Sequence, residues 1–294
     1  MLSLPESGFK MHPAMRLGPV SLKVRDIGTM LLFYSKDLGL TMMRQEGNTY
    51  ELGAGPKPAD PMVILNHDAN SRVPPANSAG LYHFAILLPD RKSLGAAYVS
   101  LGRAGVVFDG YADHLVSEAL YLMDPEGNGI EIYADKDRSQ WQYDTTGRIR
   151  MATEPLDIDS ILRELGNVDH ATLKAIPEGA RIGHIHLKVT ELKRSCAFYN
   201  EELGLDVMSD WGSAAFLSVA GYHHHIGMNT WESLMGLPSQ AGYSGLDHFN
   251  LTVPDADFVQ KLGSRLSRTA RVEKLSSSGL LVRDPDGIRF VISS

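Results

Sequence analysis

Leu17 to Leu40 read LGPVSLKVRDIGTMLLFYSKDLGL, and Ile182 to Leu205 read IGHIHLKVTELKRSCAFYNEELGL, the same pattern displaced by 182 − 17 = 165 positions. A second pair keeps that offset, GLYHFAILLPD from Gly80 to Asp90 and GLDHFNLTVPD from Gly245 to Asp255. Similarity at a fixed interval marks a duplicated architecture, in which core residues stay in register. Polar residues without a counterpart then carry what is particular to one copy. Pro19 stands opposite His184 at this offset, and Glu131 is set opposite Arg289. One half keeps polar groups that the other lacks, which points to a single working site.

Each repeat opens on an apolar stretch of strand character, Val20 to Val24 in the first and Ile185 to Val189 in the third. Ile27, Met30, Leu31, Tyr34 and Leu38 follow at three- and four-residue steps, which predict an amphipathic helix. Leu38-Gly39 ends it, since glycine accepts the left-handed cap conformation. Pro61 to Leu65 and Ala215 to Val219 then read as strands between turn signals. The expected class is therefore α+β, built from tandem βαβββ modules. Four fit, at roughly 17–66, 80–134, 181–230 and 245–293. Modules 2 and 4 close on DPEGNGIEIY from Asp124 and DPDGIRFVI from Asp284. The expected division is an N-terminal tail at 1–16, a domain of modules 1 and 2 at 17–134, a linker at 135–180 and a domain of modules 3 and 4 at 181–294. The linker holds one short helix, Leu156 to Leu165, and Gly53 to Asp60 and Asn70 to Ser78 are connectors.

The chain's 294 residues suffice for two ordinary cores, and 43% hydrophobic with 21% charged residues is a globular composition. A net charge of −7 gives no electrostatic case for nucleic acid or an anionic membrane. No apolar run approaches the ~18 residues of a membrane span. The opening MLSLPESGFKMHP lacks the basic start and apolar centre of a signal peptide, so a cytoplasmic protein is expected. The single cysteine excludes an internal disulfide framework. Cys196 stands opposite Leu31 and reads as a buried helix residue, not a nucleophile.

His83 falls on the first strand of module 2, His184 on the first strand of module 3 and Glu131 on the last strand of module 2. In Ile130-Glu131-Ile132-Tyr133 the apolar residues alternate with Glu131 and Tyr133, which share a face. A carboxylate on a core strand is costly unless it is paired or bound to a cation. Two imidazoles and one carboxylate from separate strands match the facial triad of non-haem Fe(II) enzymes. Each histidine also reads as a hydrogen-bonded strand residue and Glu131 as an edge-strand residue, and spacing alone leaves both readings open.

The strand–helix–strands unit, the FYxxxLGL ending and the DPxGNGIE closing strand resemble the vicinal oxygen chelate superfamily of glyoxalases, bleomycin resistance proteins and dioxygenases. Four tandem units resemble its type I extradiol dioxygenases, in particular the bacterial catechol-2,3-dioxygenase group. The resemblance covers the chain apart from the N-terminal tail and the linker. It implies modules paired into two cup-like open barrels, with His83, His184 and Glu131 holding Fe(II), for which Mn(II) could substitute. A tyrosine ten residues before the glutamate corresponds to Tyr121, and an Asp-His stretch to Asp113-His114. A His-His pair with the acid/base histidine corresponds to the segment Tyr222 to Gly227, where His224 takes that role and His223 is its neighbour and substitute. Three consecutive histidines on a strand would turn at least one inward. Tyr121 and His114 would hydrogen-bond substrate oxygens. The implied partners are a small aromatic diol and O2 in aromatic compound degradation, with no nucleic acid, no membrane, and a homo-oligomer left open.

One departure has consequences. In the best-known two-domain members the site lies in modules 3 and 4, yet module 4 here offers only His248, with Arg289 set at the glutamate position and Leu281 at the tyrosine position. Modules 2 and 3 supply everything, so module 2 is expected to pair with 3 and module 1 with 4. Two other readings stand beside this one. A glyoxalase-like isomerase or thiol-transferring resistance enzyme would need a further oxygen ligand, and module 3 closes without an equivalent of Glu131. A non-catalytic protein that binds aromatic compounds would need neither the triad nor Tyr121 and His224.

Overall fold

The computed structural model describes residues 8–56, 60–145, 147–268, 271–276 and 279–294. Positions 1–7 of the expected tail and 57–59 of the first connector lie outside the described residues. In chain order, module 1 comprises β1 (Arg16–Val24), α1 (Ile27–Leu32), β2 (Thr41–Glu46), β3 (Thr49–Gly53) and β4 (Val63–His67). Module 2 comprises β5 (Gly80–Leu87), α2 (Arg91–Ala104), β6 (Phe108–Asp113), β7 (Ser117–Met123) and β8 (Gly129–Asp135). After α3 (Ile158–Leu165) come β9 (Arg181–Lys188), α4 (Leu192–Ala197), β10 (Asp206–Asp210), β11 (Ala214–Ser218) and β12 (Ile226–Asn229) of module 3. Module 4 is β13 (Gly245–Thr252), α5 (Ala256–Leu266), β14 (Arg271–Ser276), β15 (Gly279–Arg283) and β16 (Arg289–Ser293).

The strands form two eight-stranded sheets, ordered β10-β11-β12-β9-β5-β8-β7-β6 and β14-β15-β16-β13-β1-β4-β3-β2. Module 2 thus shares a sheet with module 3, and module 1 with module 4, the pairing the ligand argument required. The chain also gathers into two compact units. One is formed by Val24–Asn70 and His83–Gly183, the other by Met1–Lys23, Ser71–Tyr82 and His184–Ser294.

In the unit of 24–70 and 83–183, β5 runs parallel to β8, and β6, β7 and β8 form an antiparallel meander. Phe84, Ile86, Leu120, Leu122, Ile130 and Ile132 are all buried, as alternate residues of β5, β7 and β8 should be on a covered face. The amphipathic helix α2 packs on β7 and β8. The first-module helix continues past α1 through a π-helical turn at Phe33–Asp37, which the periodicity did not announce. That wide turn brings fully buried Tyr34 to Asp124, whose Oδ2 accepts from the phenol at 2.9 Å. Asp124 Oδ1 meanwhile accepts from the backbone N–H groups of Glu126 and Asn128. The FY motif of one module therefore clamps the Asp-Pro turn of the next.

The segment expected as a linker is built into this unit. α3 packs against α2, and Arg91 spans Glu118 at 2.5 Å and Glu164 at 2.7 Å. Asp113 and Glu154 exchange backbone hydrogen bonds, which lays residues 152–154 along the end of β6.

The unit of 8–23, 71–82 and 184–294 repeats the clamp. Tyr199 follows α4 on its own π-helical turn and donates to Asp284 Oδ2 at 3.0 Å. Cys196 on α4 is fully buried, and burial pushes its thiol up to about 12, the state of an inert core residue. Burial also pushes the Asp284 carboxyl up to about 7, with the charge of Asp286 adding to the effect. An unfolded aspartate titrates near ~4. The native state therefore keeps this proton longer than the unfolded chain, so its contribution to stability is whole below about pH 4 and is lost as pH rises through about 7. Asp284→Asn, which retains an acceptor for the turn amides, should flatten the fall in Tm across this interval. An unchanged slope would place the titration in another group.

Candidate metal centre

His83 and Glu131 meet because β5 and β8 are parallel neighbours in a defined register. His83 lies opposite Gly129 and Ala85 opposite Glu131, so His83 and Glu131 stand on the same face, one alternate position apart. Both are buried, and His83 Nε2 lies 3.0 Å from Glu131 Oε2. A carboxylate this deep in an apolar sheet requires a cation or a charge-assisted partner. Across the next strand Tyr121 is directly opposite Glu131, and its ring lies 5.6 Å from that of His83.

The Tyr121 hydroxyl is 2.6 Å from His114 Nε2, and His114 Nδ1 is 2.7 Å from the Ala152 carbonyl oxygen. A carbonyl only accepts, so Nδ1 carries a proton, and in that tautomer Nε2 is the acceptor for the tyrosine hydroxyl. The tautomer is set by a residue of the 135–180 segment. His114 itself lies in the turn after β6, ahead of Leu115, which adopts φ 69°.

β9 reaches this face through Gly183. A Cβ at that position would meet Tyr133 Oη at 1.9 Å and Leu87 Cβ at 2.9 Å, so only glycine admits the strand here. His184 is the next residue and is buried. His83, Glu131 and His184 make up the one group of three or more potential metal ligands among the described residues. Two imidazoles and one carboxylate, all buried, suit a divalent first-row transition metal better than the hard, all-oxygen cages of calcium or magnesium.

The His184 ring stacks at a tilt on His224, with centroids 4.1 Å apart, and stands edge-on to His223 at 6.0 Å. His223 Nδ1 and His224 Nδ1 are 2.8 Å apart, a distance that requires one proton shared between them. The third histidine of the run, His225, turns to Ser218 Oγ at 2.7 Å. The run occupies the turn before β12 and not a strand, so strand alternation does not orient it. His223 and His224 are nonetheless both buried.

The fourth module shows what the site lost in duplication. Tyr121 faces Glu131 as Leu281 faces Val291, and Phe84 faces Ile130 as Phe249 faces Phe290. The two closing turns therefore align without a gap, and Val291, not Arg289, holds the place of Glu131. Arg289 corresponds to Gly129. It ion-pairs with Asp247, which also lies 2.8 Å from His248 Nδ1. Burial would raise the Asp247 carboxyl, but His248 and Arg289 outweigh it and hold the carboxyl below its usual value. His248→Ala and Arg289→Ala should accordingly leave bound metal and turnover within about twofold of the parent, because such a polar cluster contributes to stability alone. Metal analysis of purified variants checks this, and loss of metal would place a ligand in module 4.

A profile of the Glyoxalase/Bleomycin resistance protein/Dioxygenase superfamily matches residues 16–132 and 181–292. Catechol-2,3-dioxygenase of Bacillus subtilis (strain 168) is 39% identical over 287 residues, covering 96% of this chain and 99% of that protein. Among solved structures, a candidate dioxygenase from Bacillus subtilis subsp. subtilis str. 168 superposes with a TM-score of 0.65 at 14% identity, covering 97% of this chain and 86% of its own. Glyoxalase I from Zea mays gives 0.58 at 16% identity, covering 96% and 92%. At these identities the structural likeness is one of fold.

Proposed function

The chain belongs to the glyoxalase/bleomycin resistance protein/dioxygenase superfamily, and on that premise we propose that it is an extradiol ring-cleaving dioxygenase acting on catechol or a substituted catechol with O2. Fe(II) would be held by His83, His184 and Glu131, with Mn(II) as the alternative ion. The observation that carries this reading is the donor set, two imidazoles with one carboxylate. Held by three donors, the metal supplies Lewis acidity and open coordination positions.

An isomerase of this superfamily would need another oxygen ligand. Within module 3, Gly227 lies opposite His186 as Glu131 lies opposite Ala85 in module 2. A Cβ at Gly227 would press on the His186 ring at 3.0 Å, so no carboxylate can stand there without displacing that ring. The identity of the catechol-2,3-dioxygenase relative, spread over nearly both whole chains, supports the same choice.

The chain's own residues are then assigned as follows. Tyr121, hydrogen-bonded to His114, would hydrogen-bond a catechol oxygen. His224 is the acid/base. When its Nδ1 carries the shared proton, Nε2 is the atom that would take one from the diol. Passing the Nδ1 proton to His223 then leaves Nε2–H as a donor, with the charge spread over two rings.

Tyr121→Phe should retain the metal and lower kcat/KM for catechol about tenfold, the worth of one hydrogen bond at the upper end of the usual range. The test of the whole reading is O2 uptake by protein reconstituted anaerobically with Fe(II) and given catechol. One O2 consumed per ring opened is the expected result. Thiol-dependent isomerisation without O2 uptake, or tight binding of catechol without turnover, would sink it.

A further inference from the structure

Module 4 carries a row of arginines where module 2 has no charge. Arg283 on β15 lies directly opposite Arg289 on β16. On its other side the register sets position 271 of β14, also an arginine, directly opposite Arg283. The closing turns of the two modules align without a gap, so Arg289 stands at the place of Gly129 and Arg283 at that of Met123. The shared architecture therefore makes no demand for these charges. Like charges directly opposed across strands destabilise a sheet, which marks the row as particular to this copy.

Strand alternation fixes the face on which the row lies. Leu280, Val282, Phe290 and Ile292 are buried, and a Cβ on Gly263 of α5 would meet Leu280 Cδ1 at 2.7 Å, so these residues face the helix. Arg283 and Arg289 are the alternate residues, on the face away from α5 with Leu281 and Val291. Both arginines are half-buried, but their surroundings differ. Arg289 is spent on Asp247, donating from Nε to its carbonyl oxygen at 3.0 Å and from Nη2 to its carboxylate. His248 Nδ1 lies 2.8 Å from the other carboxylate oxygen, which engages that acid from both sides. Arg283 makes no hydrogen bond and no ion pair among the described residues. Glu273, exposed and one diagonal step away opposite Leu281, does not pair with it. A guanidinium withdrawn from water normally has a partner. This one presents a planar fork of N–H donors, the shape that matches an oxyanion.

We infer that Arg283, at the centre of this row, binds a small polyvalent oxyanion, a diphosphate or a dicarboxylate, on the face of module 4 away from α5. The anion supplies the bidentate acceptor that the fold does not provide, and it relieves the repulsion along the row. Adjacent strands stand about 5 Å apart, so a ligand with two anionic groups can meet guanidinium charge on neighbouring strands. The two related modules thus serve opposite signs. Module 2 offers Glu131 and His83 to a cation, and module 4 offers arginines to an anion. The binding is independent of the extradiol chemistry.

Calorimetric titration of the full chain with pyrophosphate and, separately, with malonate at low ionic strength tests this. One saturable site is expected for at least one of them, and the two arms distinguish a phosphate ligand from a carboxylate one. Arg283→Gln should weaken that binding about tenfold or more, the worth of a hydrogen bond to a charged group. Arg283→Lys should restore only part of it, because it returns the charge without the fork. Glu131→Gln should bind the anion as the parent does, which separates this site from the candidate metal centre. Thermal melting gives the second readout. Without added anion Arg283→Gln should melt at or above the parent, since the row is relieved, and the anion should raise Tm in the parent more than in the variant. No saturable binding of either anion, equal affinity in Arg283→Gln, or loss of binding in Glu131→Gln would overturn the site.

Discussion

Glu131→Gln should lose metal and ring cleavage together. The substitution keeps the shape but removes the site's only carboxylate charge, leaving two neutral imidazoles to hold a dication. It also installs an amide that can donate to His83 Nε2, 3.0 Å from the present carboxylate oxygen, and so occupy a ligand's lone pair. Changing a group that merely hydrogen-bonds to a ligand costs 10–100-fold in affinity or activity, so loss of a ligand should exceed about 100-fold. Metal content after purification without chelator and O2 uptake with catechol are the two measurements. Full iron with normal turnover in this variant would remove Glu131 from the centre.

His224→Phe should separate what Glu131→Gln joins. The ring of His224 stacks on His184, and phenylalanine preserves that contact, so metal should be retained. What disappears is the proton relay with His223, and removing a general acid/base costs roughly 10²–10⁴ in rate. Single-turnover kinetics on iron-loaded protein should show substrate binding followed by slowed ring opening, with the pH dependence of kcat altered. A drop in iron content without a separate kinetic defect would make His224 a ligand. An unchanged rate would transfer the role to His223, which faces it at 2.8 Å.

The sequence made the modules legible because duplication prints the same strand and helix pattern twice. It made the pairing of modules 2 and 3 legible through chemistry, since only those two carried a complete donor set. The register of the last strand was less accessible. DPEGNGIE and DPDGIRF invite a gap that puts Arg289 opposite Glu131, and only strand pairing shows Val291 there. The histidine run was legible as a functional cluster but not as a turn, because a short apolar-flanked segment gives no period by which to distinguish the two. The role of 135–180 was the least visible. Ala152 acts through its backbone carbonyl on His114, and a main-chain acceptor leaves no mark on residue identity.

The pairing of β1 with β13 has a consequence for how the polypeptide is made. Arg16 lies opposite Thr252 and Ser21 opposite His248, so β1 finds its neighbour on this side only after more than two hundred further residues have emerged. Until then β1 has an open hydrogen-bonding edge along this side, a template for aggregation. Contacts of such sequence separation are also the slow ones to form, because loop closure must precede any gain from pairing. Chains truncated before Gly245 should therefore be recovered as insoluble material, and refolding of the full chain should be slow and improve on dilution. The same exchange of modules leaves β1 waiting, during synthesis, for the fourth module.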